Sequence, residues 1–411
     1  MSTDKAMNGP LHGIRIIDLT TILLGPFATQ ILGDMGADVI KVESPAGDSI
    51  RDVGPTPTQR MGSVFFGANR NKRGLVLDLK APAGLQAMRE LVRSADVFVH
   101  NMRPQAVQRL GLDYQALQAI NPRIIFCGAY GFRQSGPYAS KPAYDDIIQA
   151  ASGMAHLQGA GAAPQYVTSS ICDKITAQAV AHAVTLALFH RERHGEGQSV
   201  AVTMFENMTA FNMLEHLYGQ TYIPPRTLTG YTRTLSKHRR PFRTLDGYIG
   251  VLPYSDRQWQ AVFEAAERTE FMDDERFKDL HSRHQNIDAL YVILAQLLSV
   301  RTTAAWLDDL DAGNVPAMAV LSGEDLIADE HLAAIGFWEE REIEHIGTVR
   351  MPGIPMQFSA SPGAIRRTPP RLGEHSVEVL RECGLGDIEI QQLVEQGITI
   401  DGSSAASITT E

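Results

Sequence analysis

The feature that most constrains the fold is an alternation of aliphatic, β-branched runs with helical segments over the first 130 residues. Predicted strands lie at residues 14–19, 38–43, 75–79, 96–100 and 123–127, and predicted helices lie at residues 27–35 and from 82 to about 93. Continuous apolar strands that are separated by helices are typical of a parallel sheet with both faces covered. The pattern therefore predicts an α/β fold with a doubly wound parallel sheet.

The loops that follow these strands are the first candidates for a ligand site. Doubly wound sheets bind ligands beyond the carboxyl ends of their strands. Residues 20–25, 101–103 and 128–131 are therefore expected on one functional rim. The first loop is not a GxGxxG sequence, and the chain contains no GxxxxGK(S/T) sequence. NAD, FAD and P-loop nucleotide chemistry therefore lack their usual sequence support.

Composition and charge are those of an ordinary globular chain. Of the 411 residues, 44% are hydrophobic and 20% are charged, and the net charge of -10 argues against general nucleic-acid binding. An apolar leader is not visible, and no stretch of about 18 apolar residues occurs. We therefore expect a cytoplasmic protein without a membrane segment.

Three cysteines, Cys127, Cys172 and Cys383, lie far apart, and the chain has no CxxC or HExxH sequence. This spacing predicts reduced thiols and no metal site. Cys172 is adjacent to Asp173, so it is either a nucleophile or a small buried residue.

A change of composition after about residue 218 indicates a separate middle unit. Residues 219–242 are rich in Pro, Thr, Gly and basic residues and predict a long connection. Residues 243–312 contain a predicted strand and two predicted helices, and strand-like runs resume at residue 315. A smaller unit is therefore expected in the middle of the chain.

Asp173 is the main candidate for a catalytic residue. It precedes a run rich in Ala and Leu, residues 175–189, that contains no Gly or Pro and is followed by basic residues and Gly195. This order predicts a helix with Asp173 at or near its N-terminus. Free N–H groups and the helix dipole there favour an ionised carboxylate, which can act as a nucleophile. The alternative is that Asp173 only caps the helix.

Short segments in a fixed order along nearly the whole chain carry a family resemblance. They include Asn-Lys-Arg-Gly at 71–74 and Leu-Gly-Glu-His at 372–375, with others at residues 11–19, 25–26, 36–43, 77–80, 101–104, 109–111, 144–145, 149–150, 153 and 173. In this order they resemble the class III CoA-transferase family, which includes formyl-CoA and carnitine-type transferases.

The resemblance implies a two-domain subunit and a homodimer. The large, Rossmann-like, CoA-binding domain would comprise residues 1–218 and 315–411, and residues 219–314 would supply a linker and a small α+β domain. Two subunits would thread through each other as interlocked rings.

The resemblance also implies covalent chemistry at Asp173. Its carboxylate would attack an acyl-CoA thioester to form a mixed anhydride, which the freed CoA thiolate would convert into an aspartyl-CoA thioester. A free carboxylic acid would then take over the CoA by the reverse steps. The substrates would be an acyl-CoA and a small carboxylic acid, with no permanently bound cofactor.

Further positions match family positions near CoA, whose 3′-phosphate and pyrophosphate require cations and helix N-termini. The matching residues are Leu23, Leu24, Leu77, Lys80, Asn101, Met102, Arg103, Arg109, Tyr144 and Asp145. For each Arg or Lys the alternative is a solvated surface charge. Ser44 stands where some family members carry a basic residue, so one phosphate contact would be missing.

Tyr144 separates two possible reactions. The related α-methylacyl-CoA racemases carry His at this position, where it pairs with the aspartate as a two-base proton shuttle. Tyr has an ordinary pKa of about 10 and is a poor base at neutral pH. CoA transfer is therefore favoured over a racemase or epimerase that acts at the α-carbon. A non-catalytic acyl-CoA-binding protein is a further alternative.

Two other features have more than one interpretation. Residues 227–243 contain only Gly230, so the Gly-rich lid of some family members is not evident, and residues 236–243 carry five basic side chains. These residues form either a solvated linker or a clamp for a carboxylate or phosphate. A clamp would favour a dicarboxylic acid such as succinate. His375 is expected to be mainly structural, in a turn that starts a helix.

Overall fold

The computed structural model describes residues 9–56, 58, 60–344 and 346–403. Contacts divide the chain into two compact units. The first comprises the described parts of Met1–Ser152, Val167–Ala210 and Gly336–Glu411, and the second comprises Gly153–Tyr166 and Phe211–Ile335. These bounds differ from the expected domains at residues 1–218, 315–411 and 219–314, which remain a prediction.

The first unit is built on a six-stranded parallel sheet. Its strands are β1 (Arg15–Leu19), β2 (Asp38–Glu43), β3 (Lys72–Val76), β4 (Val97–His100), β5 (Ile125–Tyr130) and β6 (Ser199–Thr203). They lie in the order β3-β2-β1-β4-β5-β6, and every neighbouring pair is parallel. This confirms the predicted α/β fold with a parallel sheet, and the strand order is that of the Rossmann fold. The strand order reverses between β1 and β4. The loops after these two strands therefore flank a crevice, the topological switch point, at which sheets of this kind bind ligands.

Three strands differ from the sequence prediction, and one of them, β5, lies at Ile125–Tyr130 instead of residues 123–127. β3 begins at Lys72 rather than at residue 75, because its first two charged residues are buried in ion pairs. Lys72 pairs with Asp18 at 2.9 Å, and Arg73 pairs with Asp38 at 2.7 Å. β6 is absent from the prediction, since its side chains are exposed or only partly buried and lack the continuous burial of the other strands.

The helices of this half of the chain include the predicted one that carries Asp173. They are α1 (Leu24–Asp34), α2 (Ser63–Ala68), α3 (Pro82–Arg93), α4 (Pro104–Arg109), α5 (Tyr114–Ile120), α6 (Asp145–Ala151), α7 (Met154–Gln158), α8 (Ile171–His194) and α9 (Met204–His216). The long helix α8 packs against α1. It ends at Gly195, whose φ of 83° is the left-handed conformation that stops a helix.

The second unit contains a small antiparallel sheet and several helices. Its strands β7 (Phe242–Arg243), β8 (Tyr248–Val251) and β9 (Ala317–Ala319) lie in that order. Its further helices are α10 (Asp256–Ala265), α11 (Leu280–Gln285), α12 (Ile287–Leu298), α13 (Thr303–Ala312), α14 (Gly323–Ile327) and α15 (Glu330–Ala334). The core of this unit is formed around the fully buried side chains of Trp306, Val262 and Leu290.

The C-terminal part of the chain returns to the first unit. It forms the antiparallel pair β10 (Trp338–Ile343) and β11 (Gly347–Pro352), followed by α16 (Ser376–Glu382) and α17 (Asp387–Glu395). His375 directly precedes α16, and its Nδ1 accepts a hydrogen bond from the backbone N–H of Gly74 at 3.2 Å. This bond joins α16 to β3, in agreement with a structural role for His375.

Neither a membrane helix nor a metal cluster is found among the described residues. No single helix there is long and apolar enough to cross a membrane, although the bent pair α12 and α13 meets the criteria of length and composition jointly. The same residues hold no group of three or more His, Cys, Asp or Glu side chains that could hold a metal ion.

Candidate active site

Asp173 lies in the first turn of α8, where its own backbone contacts a second carboxylate. Ser170 is the residue that precedes the helix, so Asp173 is not the N-cap residue. The backbone N–H of Asp173 donates to Oδ1 of Asp145 at 3.0 Å. Asp145 begins α6, and its other oxygen accepts from Nε2 of Gln149 at 2.6 Å. The half-buried Asp173 therefore lies beside a buried, hydrogen-bonded acid.

This arrangement corrects the expectation that the helix N-terminus keeps Asp173 ionised. Burial, and after it the negative charge of Asp145, raises the pKa of Asp173 to about 7. The carboxyl group is therefore only about half ionised at neutral pH. The helix dipole does not dominate, because an oxygen of Asp145 occupies the N–H of Asp173 and brings a like charge with it.

A cavity of about 250 Å³ opens beside Asp173 at the switch point of the sheet. Its walls come from the loops after β1, β4 and β5, as expected for the carboxyl ends of parallel strands. Of the predicted site residues, those that line it are Leu23, Leu24, Asn101, Met102, Arg103, Tyr144 and Asp173. Tyr144 precedes α6 and is 68% exposed, so most of its side chain is available to a ligand.

The other predicted residues lie outside the lining of this cavity. Asp145 adjoins it through its bond to Asp173. Leu77 is 1% exposed and packs in the apolar core, and its backbone N–H donates to the carbonyl of Glu43 at 2.8 Å. Lys80 and Arg109 are exposed, and Nε of Arg109 donates to the carbonyl of Gln105 in its own helix at 3.2 Å. Their contacts with CoA remain predictions.

The loop after β1 is held in its shape by buried charges. Ile22 has a φ of 72°, a strained value for a β-branched residue, and its N–H donates to both carboxylate oxygens of Asp48 at 3.2 Å. Nζ of Lys41 donates to Asp48 and to the carbonyl of Thr20, both at 3.0 Å. Lys41 and Asp48 are buried, so this pair fixes the loop from beneath.

Asn101 joins this loop to the loop after β4. Its side chain accepts from the N–H of Thr21 at 3.1 Å and donates to the carbonyl of Thr21 at 2.9 Å. Asn101 therefore shapes the rim through two backbone contacts, in addition to any contact with CoA that the family resemblance implies.

Sequence reasoning missed a pair of side chains at the ends of β4 and β5. Tyr130 lines the cavity, and its hydroxyl lies 3.3 Å from Nε2 of the fully buried His100. Burial lowers the pKa of His100 to about 4 and raises that of Tyr130 to about 12, so both are neutral at pH 7. The Tyr130 ring lies over Gly128, which is the register partner of His100. The sequence Gly-Ala-Tyr at 128–130 could have indicated this packing, because only a glycine at position 128 leaves room for the Tyr130 ring.

Lys141 is a second missed residue, and it adds a cation to the cavity wall. Its Nζ lies 4.1 Å from the centre of the Tyr138 ring. Arg103 and Lys141 are both exposed lining residues, so the cavity has two cations suited to an anionic ligand.

Cys172 can be set aside as a nucleophile. Its side chain is fully buried, and burial together with the acids Asp145 and Asp173 raises the pKa of its thiol to about 12. Since the thiolate is the reactive form of cysteine, Cys172 is a small core residue.

The comparisons with known proteins show the family of the chain and agree with its fold. Residues 11–376 match the model of CoA-transferase family III, so the chain belongs to this family. It is 30% identical over 394 residues to succinyl-CoA:glutarate CoA-transferase of Homo sapiens, covering 95% of this chain and 90% of that protein. It is 35% identical over 391 residues to succinate–glutarate CoA-transferase of Agrobacterium fabrum, covering 91% and 95%.

Solved structures give the same result. A CAIB/BAIF family protein from Brucella suis is 30% identical and superimposes with a TM-score of 0.78, over 92% of this chain and 100% of that one. These findings confirm the prediction of an enzyme that moves CoA from an acyl-CoA to a free carboxylic acid.

Proposed function

We propose that this CoA-transferase uses Asp173 as a covalent nucleophile and exchanges CoA between short dicarboxylic acids. The observation that carries the first part is the position of Asp173, at the start of α8 and in the wall of the cavity at the switch point. The second part rests on the two relatives whose names contain succinate or succinyl-CoA and glutarate.

The reaction would take four balanced steps. The ionised carboxylate of Asp173 attacks the thioester carbonyl, the carbon–sulfur bond breaks, and CoA leaves as a thiolate. The thiolate then attacks the Asp173 carbonyl of the mixed anhydride, which releases the donor acid and leaves an aspartyl-CoA thioester. The acceptor carboxylate attacks this thioester and again expels the thiolate, leaving a second anhydride. Attack on the acceptor's acyl carbon then gives the new acyl-CoA and frees Asp173.

The raised pKa of Asp173 fits its role as the nucleophile. A carboxylate with a pKa of about 7 is more nucleophilic than one with the ordinary value, and it is still half ionised at neutral pH. A buried acid partner, Asp145, contributes to this value and would be a positioning residue.

CoA is larger than the cavity and would extend beyond it. At about 250 Å³, the cavity has room for the reacting thioester and the nearby part of the pantetheine arm. We assign Leu23, Leu24, Met102 and Tyr144 to contacts with the thioester and the nearby part of the pantetheine arm. The predicted contacts at Asn101, Arg103, Arg109 and Lys80 would serve the phosphates and the adenine, outside the cavity or at its edge. Leu77, which was also predicted to contact CoA, is buried in the core.

We further propose the interlocked homodimer that the family resemblance implies, with residues 1–218 and 315–411 in the large domain and 219–314 in the linker and small domain. Support comes from large apolar side chains that one chain leaves exposed. Leu186 and Phe189 on α8 are 55% and 58% exposed, and Leu214 on α9 is 87% exposed. Leu186 and Phe189 are three positions apart and so share one face of α8, and an exposed apolar patch marks a surface that another chain can cover.

The test of the covalent mechanism is the intact mass of the protein after mixing with a panel of acyl-CoA donors. Wild type should gain a CoA-sized adduct that hydroxylamine removes, and Asp173→Ala should gain none. Asp146→Ala is the matched control, because Asp146 is an exposed acid next to Asp145 and should leave the adduct intact.

Failure of every donor to give an adduct, together with tight CoA binding and deuterium exchange at the acyl α-carbon, would instead indicate the racemase alternative. In that reaction Asp173 would act as a proton acceptor, which its pKa of about 7 also permits.

A further inference from the structure

The second unit holds a cavity of its own, and three arginines are among the residues that line it. It measures about 480 Å³, and its lining includes Arg233, Arg239 and Arg240. Arg239 and Arg240 belong to the basic run at residues 236–243, which the catalytic cavity in the first unit does not use. The fold adds Arg233, six positions before Arg239 in the sequence, to the same cavity.

These arginines differ from most others of the second unit in having no acidic partner. Arg301 pairs with Asp309 at 2.6 Å and Arg276 pairs with Asp274 at 2.6 Å. Within the described parts of the chain, by contrast, no carboxylate lies within ion-pair distance of Arg233, Arg239 or Arg240. Three guanidinium groups without a counter-charge around one cavity favour an anionic ligand.

One of the three is held in place by an aromatic side chain. Nε of Arg233 donates to the hydroxyl of Tyr231 at 3.2 Å, and its guanidinium lies 5.5 Å from the centre of the same ring. Arg233 is only half-exposed, whereas Arg239 and Arg240 are exposed. The cavity therefore combines one oriented cation with two that can adjust to a ligand.

The remaining walls of the cavity are apolar. Phe242, Val251 and Tyr291 line it and are 5%, 8% and 6% exposed. An apolar wall beside guanidinium groups suits a short carbon chain that ends in carboxylates better than it suits a small inorganic ion, which has no apolar surface to bury. The volume is in the range of small-molecule sites.

We propose that this cavity of the second unit binds a short dicarboxylic acid, with Arg233, Arg239 and Arg240 as the carboxylate ligands. The choice of acid rests on the proposed function, whereas the anionic, chain-bearing character of the ligand rests on the cavity itself. The residues that line it do not overlap with those that line the cavity at Asp173.

The test is calorimetric titration of the full-length protein with glutarate, compared between wild type and the double variant Arg239→Ala/Arg240→Ala. Loss of two guanidinium ligands should weaken glutarate binding by at least about tenfold. Arg243→Ala is the matched control, because Arg243 is an exposed arginine of the same basic run that does not line the cavity. It should change the affinity by less than about twofold.

Titrations with two further ligands test which anions the site binds. Butyrate, which has one carboxylate, should bind more weakly than glutarate to wild type. 3′,5′-ADP represents the phosphate end of CoA, and its affinity should be the same in wild type and the double variant. Equal glutarate affinity in the double variant and wild type would overturn the proposal, and so would a loss of affinity for 3′,5′-ADP instead of glutarate.

The outcome is separable from that of the proposed function. A CoA adduct on Asp173, together with a glutarate affinity that is the same in wild type and the arginine double variant, would refute this site and leave the transferase mechanism standing. Arginine-dependent glutarate binding without any adduct would refute the covalent mechanism and leave this site standing.

Discussion

The backbone N–H of Asp173 donates to the carboxylate of Asp145 at 3.0 Å, so two acids share the start of α8. Burial of the site, and after it the like charge of Asp145, raises the pKa of Asp173 to about 7. Asp145 cannot move away easily, because it is 8% exposed and also accepts a hydrogen bond from Gln149. The reactivity of the nucleophile therefore depends on its burial and, to a lesser extent, on a neighbour that needs no contact with substrate.

Asp145→Asn should lower the pKa of Asp173 and shift the activity profile towards acid. The substitution removes the negative charge but not the burial, which is the larger cause, so the pKa should fall only part of the way towards 3.8. The measurement is kcat/KM as a function of pH from about 5 to 9, which reports the pKa of the free enzyme. Wild type should show an acid limb with a midpoint near 7.

The control for this prediction is Asp146→Asn. Asp146 is exposed and is not among the causes of the Asp173 shift, so its profile should match that of wild type. An Asp145→Asn profile with an unchanged midpoint, at any level of activity, would mean that Asp145 does not tune the nucleophile.

Asp173→Asn should stabilise the protein above neutral pH while abolishing the CoA adduct. Since the folded pKa of Asp173 lies above the ordinary value of 3.8, the unfolded state ionises first, and the wild-type fold loses stability as the pH rises from about 4 to about 7. Asparagine does not ionise, so the variant has no such loss. Its free energy of unfolding should equal that of wild type below pH 4 and exceed it by at most about 4 kcal/mol above pH 7. Unfolding midpoints of both proteins across this range provide the measurement, and a pH-independent difference would contradict the prediction.

The strand pattern predicted most of the sheet because its strands are continuous apolar runs. β2 occupies the predicted residues, and β1 and β4 each lie within one residue of the prediction. β3 was misplaced because Lys72 reads as a surface residue, whereas its partner Asp18 lies 54 positions away in sequence and cancels its charge inside the sheet. Burial of a charge depends on a partner that only the fold brings near, so the local sequence around Lys72 does not indicate that the strand begins there.

The helix that begins near Asp173 was predicted from the sequence, but the electrostatics of Asp173 were not. The signals around Asp173 are local, namely an apolar run and a stop at Gly195, and they located the helix. The pKa of Asp173 depends on Asp145, which is 28 positions away. The contact between His100 and Tyr130 likewise joins two strands, and although the glycine at 128 leaves room for the ring, no local pattern indicates that His100 lies beside it.

Gly128→Ala should displace the Tyr130 ring and weaken acyl-CoA binding. A Cβ at Gly128 would lie 2.2 Å from the Tyr130 hydroxyl oxygen, so the ring has to leave the strand surface. Tyr130 lines the cavity beside Asp173, and the displaced ring should raise the KM for acyl-CoA several-fold. Steady-state kinetics would measure this change, with Gly67→Ala as the control, because a Cβ there meets no atom within 4 Å.

The cause can be separated from a general packing defect by a double-mutant cycle. In the Tyr130→Ala background the ring is absent, so Gly128→Ala should have little further effect on KM. Additive effects of the two substitutions would contradict a mechanism that acts through the ring.

Lys41→Met should destabilise the first unit and loosen the loop that lines the cavity. Lys41 and Asp48 form a fully buried pair at 3.0 Å, and Asp48 also holds the N–H of Ile22. Removal of the cation leaves the buried carboxylate of Asp48 without its ion-pair partner, which costs about 3–5 kcal/mol. Urea unfolding followed by circular dichroism would measure this loss, and Arg276→Ala, which breaks an exposed pair with Asp274, should cost no more than about 1 kcal/mol.

Because Nζ of Lys41 also holds the carbonyl of Thr20, CoA binding should weaken in Lys41→Met under conditions where the protein remains folded. Equal CoA affinity in the folded variant and wild type would show that this buried pair supports the fold but not the shape of the binding loop.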